Sequence, residues 1–181
     1  MVFNRDGRWY ADRAELTDYC RRSANPVGRL LLHLWGIDDA AALAESDAIC
    51  TALQLVNFWQ DLSEDIPRGR YYLPLADCAA HGVRTDELLA LRSDPSTTKL
   101  IASCVDWAGA TMQKGLNLPH RVPGRAGWEL RLVVQAGLRL AQRMARPEVA
   151  AALLQHRPAL GWRDAVPIAW GAIGMRPVAD A

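Results

Sequence analysis

The sequence contains no run approaching the roughly 18 uninterrupted apolar residues of a membrane-spanning helix. Its first ten residues, MVFNRDGRWY, carry charges where a signal peptide has its apolar stretch. An excess of charge of either sign is also missing. Lys and Arg number 21 against 20 Asp and Glu, a formal net charge of +1, which leaves no global field to attract nucleic acid. The four cysteines, Cys20, Cys50, Cys78 and Cys104, are too widely spaced for a zinc site. Each adjoins apolar residues, where a reduced thiol acts as a small hydrophobe. There is no GxGxxG dinucleotide fingerprint, no internal repeat and no low-complexity segment. These absences lead to the expectation of a soluble, cytoplasmic protein, with contact at a membrane surface left open.

What is present is helical patterning. The 181 residues, 50% of them hydrophobic, suffice for one core, so residues 1–181 read as one domain or part of a larger one. Apolar residues recur at three- and four-residue spacing, while strand-like alternation bounded by turns is scarce; the chain is expected to be all-α. Helices are expected over Ala11–Arg22, Pro26–Trp35, Ser46–Asp65, Thr85–Leu91, Pro95–Leu116, Ala126–Ala145, Pro147–Gln155 and Trp162–Gly174. Ser46, Thr85 and the pair Asp94-Pro95 supply start signals, and the turn-rich segment 117–127 marks the clearest break.

The stretch QLVNFWQDLSEDIPRGRYYLP, Gln54 to Pro74, concentrates the chemistry. At 100° per residue, Gln54, Asn57, Asp61 and Asp65 fall within about 80° of one another. Apolar residues occupy the opposite side, so the stripe is expected to face an internal cavity. Asp61 and Asp65 are like charges one turn apart near a helix C-terminus, where both their repulsion and the helix dipole are unfavourable by up to about 1 kcal/mol. No Lys or Arg between Ser46 and Asp65 offsets them, so compensation must come from outside the helix. One solution is Mg²⁺, which binds through one or two carboxylates and bridges to phosphate oxygens. The other is that Arg68 and Arg70 cap the acidic end as surface ion pairs. Arg70 can fork onto a phosphate and Tyr72 can donate to one, whereas Tyr71 reads as an aromatic at the core edge.

Gln54-x-x-Asn57-x-x-x-Asp61-x-x-Glu64-Asp65, followed by Arg68-Gly69-Arg70-x-Tyr72-Leu73-Pro74, resembles the second aspartate-rich motif of the squalene and phytoene synthase family. Upstream, Tyr19-Cys20-Arg21-Arg22-Ser23-Ala24-Asn25-Pro26-Val27-Gly28 is similar to that family's YC-x-x-x-A-x-x-VG segment. SANPVGR, NFWQD, WELRLVVQAGLRL and HRPAL resemble the hydroxysqualene-forming branch of hopanoid synthesis; Gln60 stands where phytoene synthases typically carry arginine. The resemblance implies a bundle of helices of the isoprenoid synthase type around a central cavity. Asn57, Asp61 and Asp65 would hold Mg²⁺, Arg70 and Tyr72 would contact the diphosphate, and Gln54 would lie beside the substrate. Tyr19, Ala24, Val27 and Gly28 would line the prenyl pocket, although Tyr19 also reads as a core tyrosine and Val27 and Gly28 as close helix packing. His33 and His81 read as non-catalytic.

By the same resemblance, presqualene diphosphate loses diphosphate, its cation rearranges, and water captures it. Tyrosine faces would stabilise that cation by about 0.5–2 kcal/mol. The alternatives are a presqualene-diphosphate or phytoene synthase acting on farnesyl diphosphate or another prenyl diphosphate, or a non-catalytic helical lipid-binding remnant. The family's first aspartate-rich motif, expected upstream of Tyr19, is absent; Asp12, Glu15 and Asp18 lack its spacing. The chain is therefore expected to be the C-terminal portion of a synthase domain, N-terminally incomplete, with half of the metal cage, apolar surface uncovered and little or no activity by itself.

Overall fold

The computed structural model describes residues 7–177. Helices account for all the regular structure among them: α1 (Arg13–Ser23), α2 (Asn25–Leu34), α3 (Ala40–Gln60), α4 (Leu62–Asp65), a 3₁₀ turn (Ile66–Arg68), α5 (Leu75–Ala80), α6 (Thr85–Leu89), α7 (Pro95–Gln113), α8 (Leu118–Arg121), α9 (Gly124–Met144), α10 (Pro147–Ala150) and α11 (Trp162–Gly174). The all-α expectation holds.

α3 is the central helix, packed against α1, α2, α7 and α9. Its C-terminal half, with Leu55, Val56, Phe58 and Trp59, enters one core together with Leu16, Leu62, Leu73, Leu100, Ile101 and Met144. Its N-terminal half, with Ala42, Ile49 and Ala52, enters a second core with Leu32, Met112, Leu118 and Val134. A helix shared by two cores must be apolar around most of its circumference, which leaves one polar strip for chemistry.

Several boundaries differ from the sequence expectation. α3 begins at Ala40 because Asp39 accepts from the Ala42 amide at 3.0 Å; Ser46 lies inside the helix and is buried. At the other end α3 stops at Gln60. Asp61 takes φ −98° and ψ 12°, and a separate turn of helix carries Asp65. Thr85 is the first helical residue of α6, and Glu87 reaches back to the Arg84 amide at 3.0 Å. Asp94 caps α7 as expected, accepting from the Thr97 amide at 2.7 Å. α5 was not anticipated. Its first amides, Leu75 and Ala76, donate to the carbonyls of Tyr10 and Ala11 at 2.9 Å each, and these tertiary bonds leave no local sequence signal.

α1 is fixed by Arg13, which forks onto Asp77 and donates to Ser103 at 3.0 Å while lying 5.0 Å from the Trp107 ring. Burial pushes the Cys20 thiol up to about 12 and that of Cys78 up to about 11, as fits their packing role.

Candidate functional site

Two backbone bonds of helical spacing span the break after Gln60. The Asp61 amide donates to Asn57 O at 2.9 Å and the Asp65 amide to Asp61 O at 2.8 Å. Asn57, Asp61 and Asp65 are thus successive turns of one strip. The chain then tightens through the 3₁₀ turn and reverses at Gly69, whose φ of +74° lies in the left-handed region that glycine adopts without strain. This reversal brings Arg70 back: its amide donates to Asp65 O at 2.9 Å, and its guanidinium donates to Asp65 Oδ1 at 3.2 Å. The reversal at Gly69 is thus what returns Arg70 to Asp65.

Asp61 is neutralised from much farther along the chain. Arg157 Nε donates to Asp61 Oδ1 and lies 3.8 Å from Glu64 Oε1. The Arg157 segment is held in place by neighbouring bonds, from Gln60 Nε2 to Pro158 O at 2.7 Å and from Arg143 to Ala159 O at 2.5 Å. Arg68 pairs with Glu64 at 3.4 Å. The compensation expected from outside the helix thus comes from arginines. The surface-pair reading is realised in part: Arg70 and Arg157 are about half exposed, while the carboxylate of Asp65 is buried. Burial pushes the Asp65 carboxyl above the ordinary carboxylate range, an effect that Arg70 opposes and Asp61 reinforces.

Against this acidic end stands an aromatic cluster. Phe58 and Tyr72 stack with ring centroids 3.8 Å apart and planes at 9°. Tyr19 meets Tyr10 at 5.6 Å, Phe58 at 6.1 Å and Tyr72 at 6.2 Å. The phenol of Tyr72 is pushed up chiefly by burial, then by Tyr19 and Asp65, so the cluster and the acids share one electrostatic environment. Tyr10 is pushed up to about 12 for the same first reason. Tyr71 stacks on Trp9 at 4.5 Å, at the core edge as expected.

The structure brings together Tyr19, Asp61, Asp65, Arg70 and Tyr72. Tyr72 is a buried, stacked ring rather than an open one. Gln54 is half buried, whereas Asn57 is exposed, which corrects the expectation that the whole strip faces an internal cavity. Ala24 forms the joint between α1 and α2. Gly28 is a close-packing position: a Cβ there would stand 2.4 Å from Ser46 Oγ and 2.5 Å from Cys50 Sγ. Val27 is 55% exposed and begins an apolar stripe with Leu30, Leu31 and Leu34. His33 is exposed, and His81 bonds the Asp77 carbonyl within its own turn. Arg157 was missed as a site residue. Its signal in the sequence was only the HRPAL resemblance, because a partner 96 residues away leaves no periodic trace.

No group of three or more His, Cys, Asp or Glu converges as a metal cage among the described residues. Asn57, Asp61 and Asp65 supply a neutral amide oxygen and two carboxylates on successive turns, oxygen donors of the kind Mg²⁺ takes alongside waters and phosphate oxygens. Entry of such an ion requires Asp61 and Asp65 to exchange their arginine partners.

Residues 1–164 match the squalene/phytoene synthase family profile. The chain is 36% identical over 126 residues to the phytoene synthase of Thermus thermophilus, a match covering 69% of this chain and 43% of that protein. It is 34% identical over 114 residues to the hydroxysqualene synthase of Sinorhizobium fredii, covering 62% and 39%. Its fold resembles the crystal structure of squalene synthase HpnC from Alicyclobacillus acidocaldarius, with a TM-score of 0.73 and 39% identity over 76% of this chain and 52% of that one. The chain thus spans about two fifths of the length of the two curated relatives and about half of the solved one.

Proposed function

The chain belongs to the squalene/phytoene synthase family, and from that premise we propose that it is part of a single synthase domain that converts presqualene diphosphate to hydroxysqualene and diphosphate. The family acts on prenyl diphosphates and uses a divalent metal to bind the diphosphate. The observation that carries the reading is the strip Asn57, Asp61 and Asp65, with one arginine on each aspartate and the aromatic cluster beside it.

Asn57, Asp61 and Asp65 would hold Mg²⁺, which when bound supplies Lewis-acid assistance to departure of the diphosphate. Arg70 and Arg157, released from their carboxylates, are placed to fork onto diphosphate oxygens, trading Asp–Arg pairs for Arg–phosphate pairs. The α2 stripe of Val27, Leu31 and Leu34, beside α3, offers apolar surface to the prenyl chains. Tyr19 presents an aromatic face that favours positive charge on carbon by about 0.5–2 kcal/mol, and the stacked Phe58–Tyr72 pair keeps water from that side. Tyr72 would donate its phenol O–H to the diphosphate.

The 34% identity to the hydroxysqualene synthase of Sinorhizobium fredii, together with the SANPVGR and NFWQD motifs, supports this reaction. The amide of Gln60, engaged with Pro158 O, stands where phytoene synthases carry a charge. The second reading, a prenyltransferase joining two prenyl diphosphates, draws on the 36% identity to phytoene synthase. Calorimetric titration with pyrophosphate at saturating Mg²⁺ tests the site. Wild type is expected to bind in a Mg²⁺-dependent way, and Arg70→Gln and Arg157→Gln to bind about tenfold or more weakly, as loss of a charge-assisted bond implies. Undiminished Mg²⁺-dependent binding by both arginine variants would remove the reading. Product analysis of the full-length protein separates the two reactions: hydroxysqualene from presqualene diphosphate supports the first, and condensation of two prenyl diphosphates the second.

A further inference from the structure

The cation that answers Asp61 comes from a stretch without regular structure. Residues 157–160, between α10 and α11, are neither helix nor turn, so no repeating backbone pattern sets their path. Side chains from three helices do. At the end of α3, Gln60 Nε2 donates to Pro158 O at 2.7 Å. From α9, Arg143 donates to Ala159 O at 2.5 Å. At the start of α11, Asp164 accepts from the Gly161 amide at 2.8 Å. Arg157 stands immediately before these anchored residues and reaches Asp61, with Glu64 3.8 Å away.

The anchors are themselves fixed. Gln60 is buried and directly precedes Asp61, so one helix end carries both the carboxylate and the donor that holds the chain opposite it. Arg143 donates to both oxygens of Asp164, at 2.7 and 2.8 Å, and Asp164, 2% exposed, also pairs with Arg139 at 3.2 Å. Pro158 adds a covalent constraint. Its ring fixes its own φ and biases the preceding residue, Arg157, toward extended backbone. Having no N–H, Pro158 has only its carbonyl to be satisfied, and Gln60 satisfies it.

We propose that Gln60 and Arg143 are positioning residues that act through Arg157, presenting its guanidinium to Asp61 and, when diphosphate is bound, to the diphosphate oxygens. The diphosphate half rests on the function proposed above; the pinning of Arg157 against Asp61 does not. With the backbone held beside it, Arg157 can exchange Asp61 for a phosphate oxygen by turning its side chain. Binding then does not bear the entropy of ordering the segment. Gln60 is the cleaner probe of the two, because Arg143 also engages Asp164 and so seats α11 on α9.

The test reads the Arg157 Nε–H in the ligand-free protein by side-chain proton–nitrogen exchange spectroscopy, the signal being identified by its loss in Arg157→Gln. Gln60→Met keeps the side-chain length and removes the donor. It should speed Arg157 exchange about two- to tenfold, as loss of one neutral hydrogen bond implies. The Arg13 Nε–H, bonded to Asp77 at 2.8 Å, is the reference: general destabilisation speeds both signals, lost positioning only the first. Pro158→Gly, a loop change that spares the helices, should likewise act on Arg157 alone. Unchanged Arg157 exchange in both variants, or equal acceleration of Arg13, would overturn the proposal. In pyrophosphate titrations at saturating Mg²⁺, Gln60→Met should weaken binding by a similar factor in the wild-type background and have no effect on Arg157→Gln. Equal weakening in both backgrounds would show that Gln60 acts on the anion independently of Arg157, against the proposal. Selective acceleration of Arg157 with undiminished binding by Arg157→Gln would uphold the positioning and remove the diphosphate role, so the two failures are told apart.

Discussion

Asp65→Asn separates what the acidic strip does for binding from what it does for folding. In the folded protein the Asp65 carboxylate is buried and its one guanidinium partner, Arg70 at 3.2 Å, is half exposed. A pair with so exposed a partner contributes about 0–1 kcal/mol. The desolvation that raises the Asp65 pKa acts in the opposite direction, against the charged form. Removing the charge therefore gives a protein between neutral and slightly more stable, with a melting temperature within about 4 °C of wild type or above it. Asn retains the shape, and water can serve the freed Arg70. Binding should respond differently. Loss of a charge-assisted contact worth about 1.5–3 kcal/mol weakens Mg²⁺-dependent pyrophosphate binding on the order of 10- to 150-fold. Differential scanning calorimetry and titration calorimetry on one preparation measure both quantities. Undiminished Mg²⁺-dependent binding in the variant would refute the metal reading; a fall in melting temperature beyond about 6 °C would show that the carboxylate is a structural element.

Three further outcomes follow from the packing and charges. Asp164 is held below the ordinary carboxylate range, first by the Gly161 amide and then by its arginines. Its stabilising contribution is thus complete above pH of about 4 to 5 and is lost as pH falls through its depressed folded value; in acid titrations followed by circular dichroism, Asp164→Asn should be less stable at neutral pH and converge with wild type in strong acid. Gly127→Ala places a Cβ 2.3 Å from the Val122 carbonyl oxygen and 3.0 Å from that of Pro119, backbone atoms that cannot swing aside. A loss of about 1–3 kcal/mol is expected in chemical denaturation, whereas Gly137→Ala, which meets only the ends of Leu53 and Met112, should lose less. Phe58→Ala removes the stacking partner of Tyr72 and opens a core void, at about 3–5 kcal/mol and a melting temperature lower by roughly 6–20 °C; Tyr72→Phe keeps the stack and should change it by a small fraction of that.

The helical class and most helices were legible because amphipathic spacing is a local record of which side of a helix is buried. Asp94-Pro95 marked the start of α7 for the same local reason, a side chain accepting from an amide three residues on. Where an earlier cap or a tertiary bond decided the boundary, the reading failed. Asp39 starts α3 well before Ser46, and α5 depends on carbonyls of Tyr10 and Ala11 more than 60 residues upstream. The acids were legible as a problem in electrostatics, two like charges at a helix end without a local cation. Their solution was only half legible: Arg70 returns through a five-residue turn that Gly69 permits, while Arg157 arrives from the other end of the chain.

By itself, then, the sequence determined an all-helical chain of a recognisable family, with a strip of Asn57, Asp61 and Asp65 and the Arg-Gly-Arg reversal that follows it. These are properties of residues within a few turns of one another, and short-range sterics and hydrogen bonding suffice to set them. Tertiary structure alone decided that Tyr72 is stacked on Phe58 inside an aromatic cluster, that Asp61 is held by Arg157, and that α11 turns Asp164 inward and Trp162 and Trp170 outward. Each of these depends on which surfaces meet when distant helices pack, and an apolar stripe read from sequence cannot say whether it will find a partner.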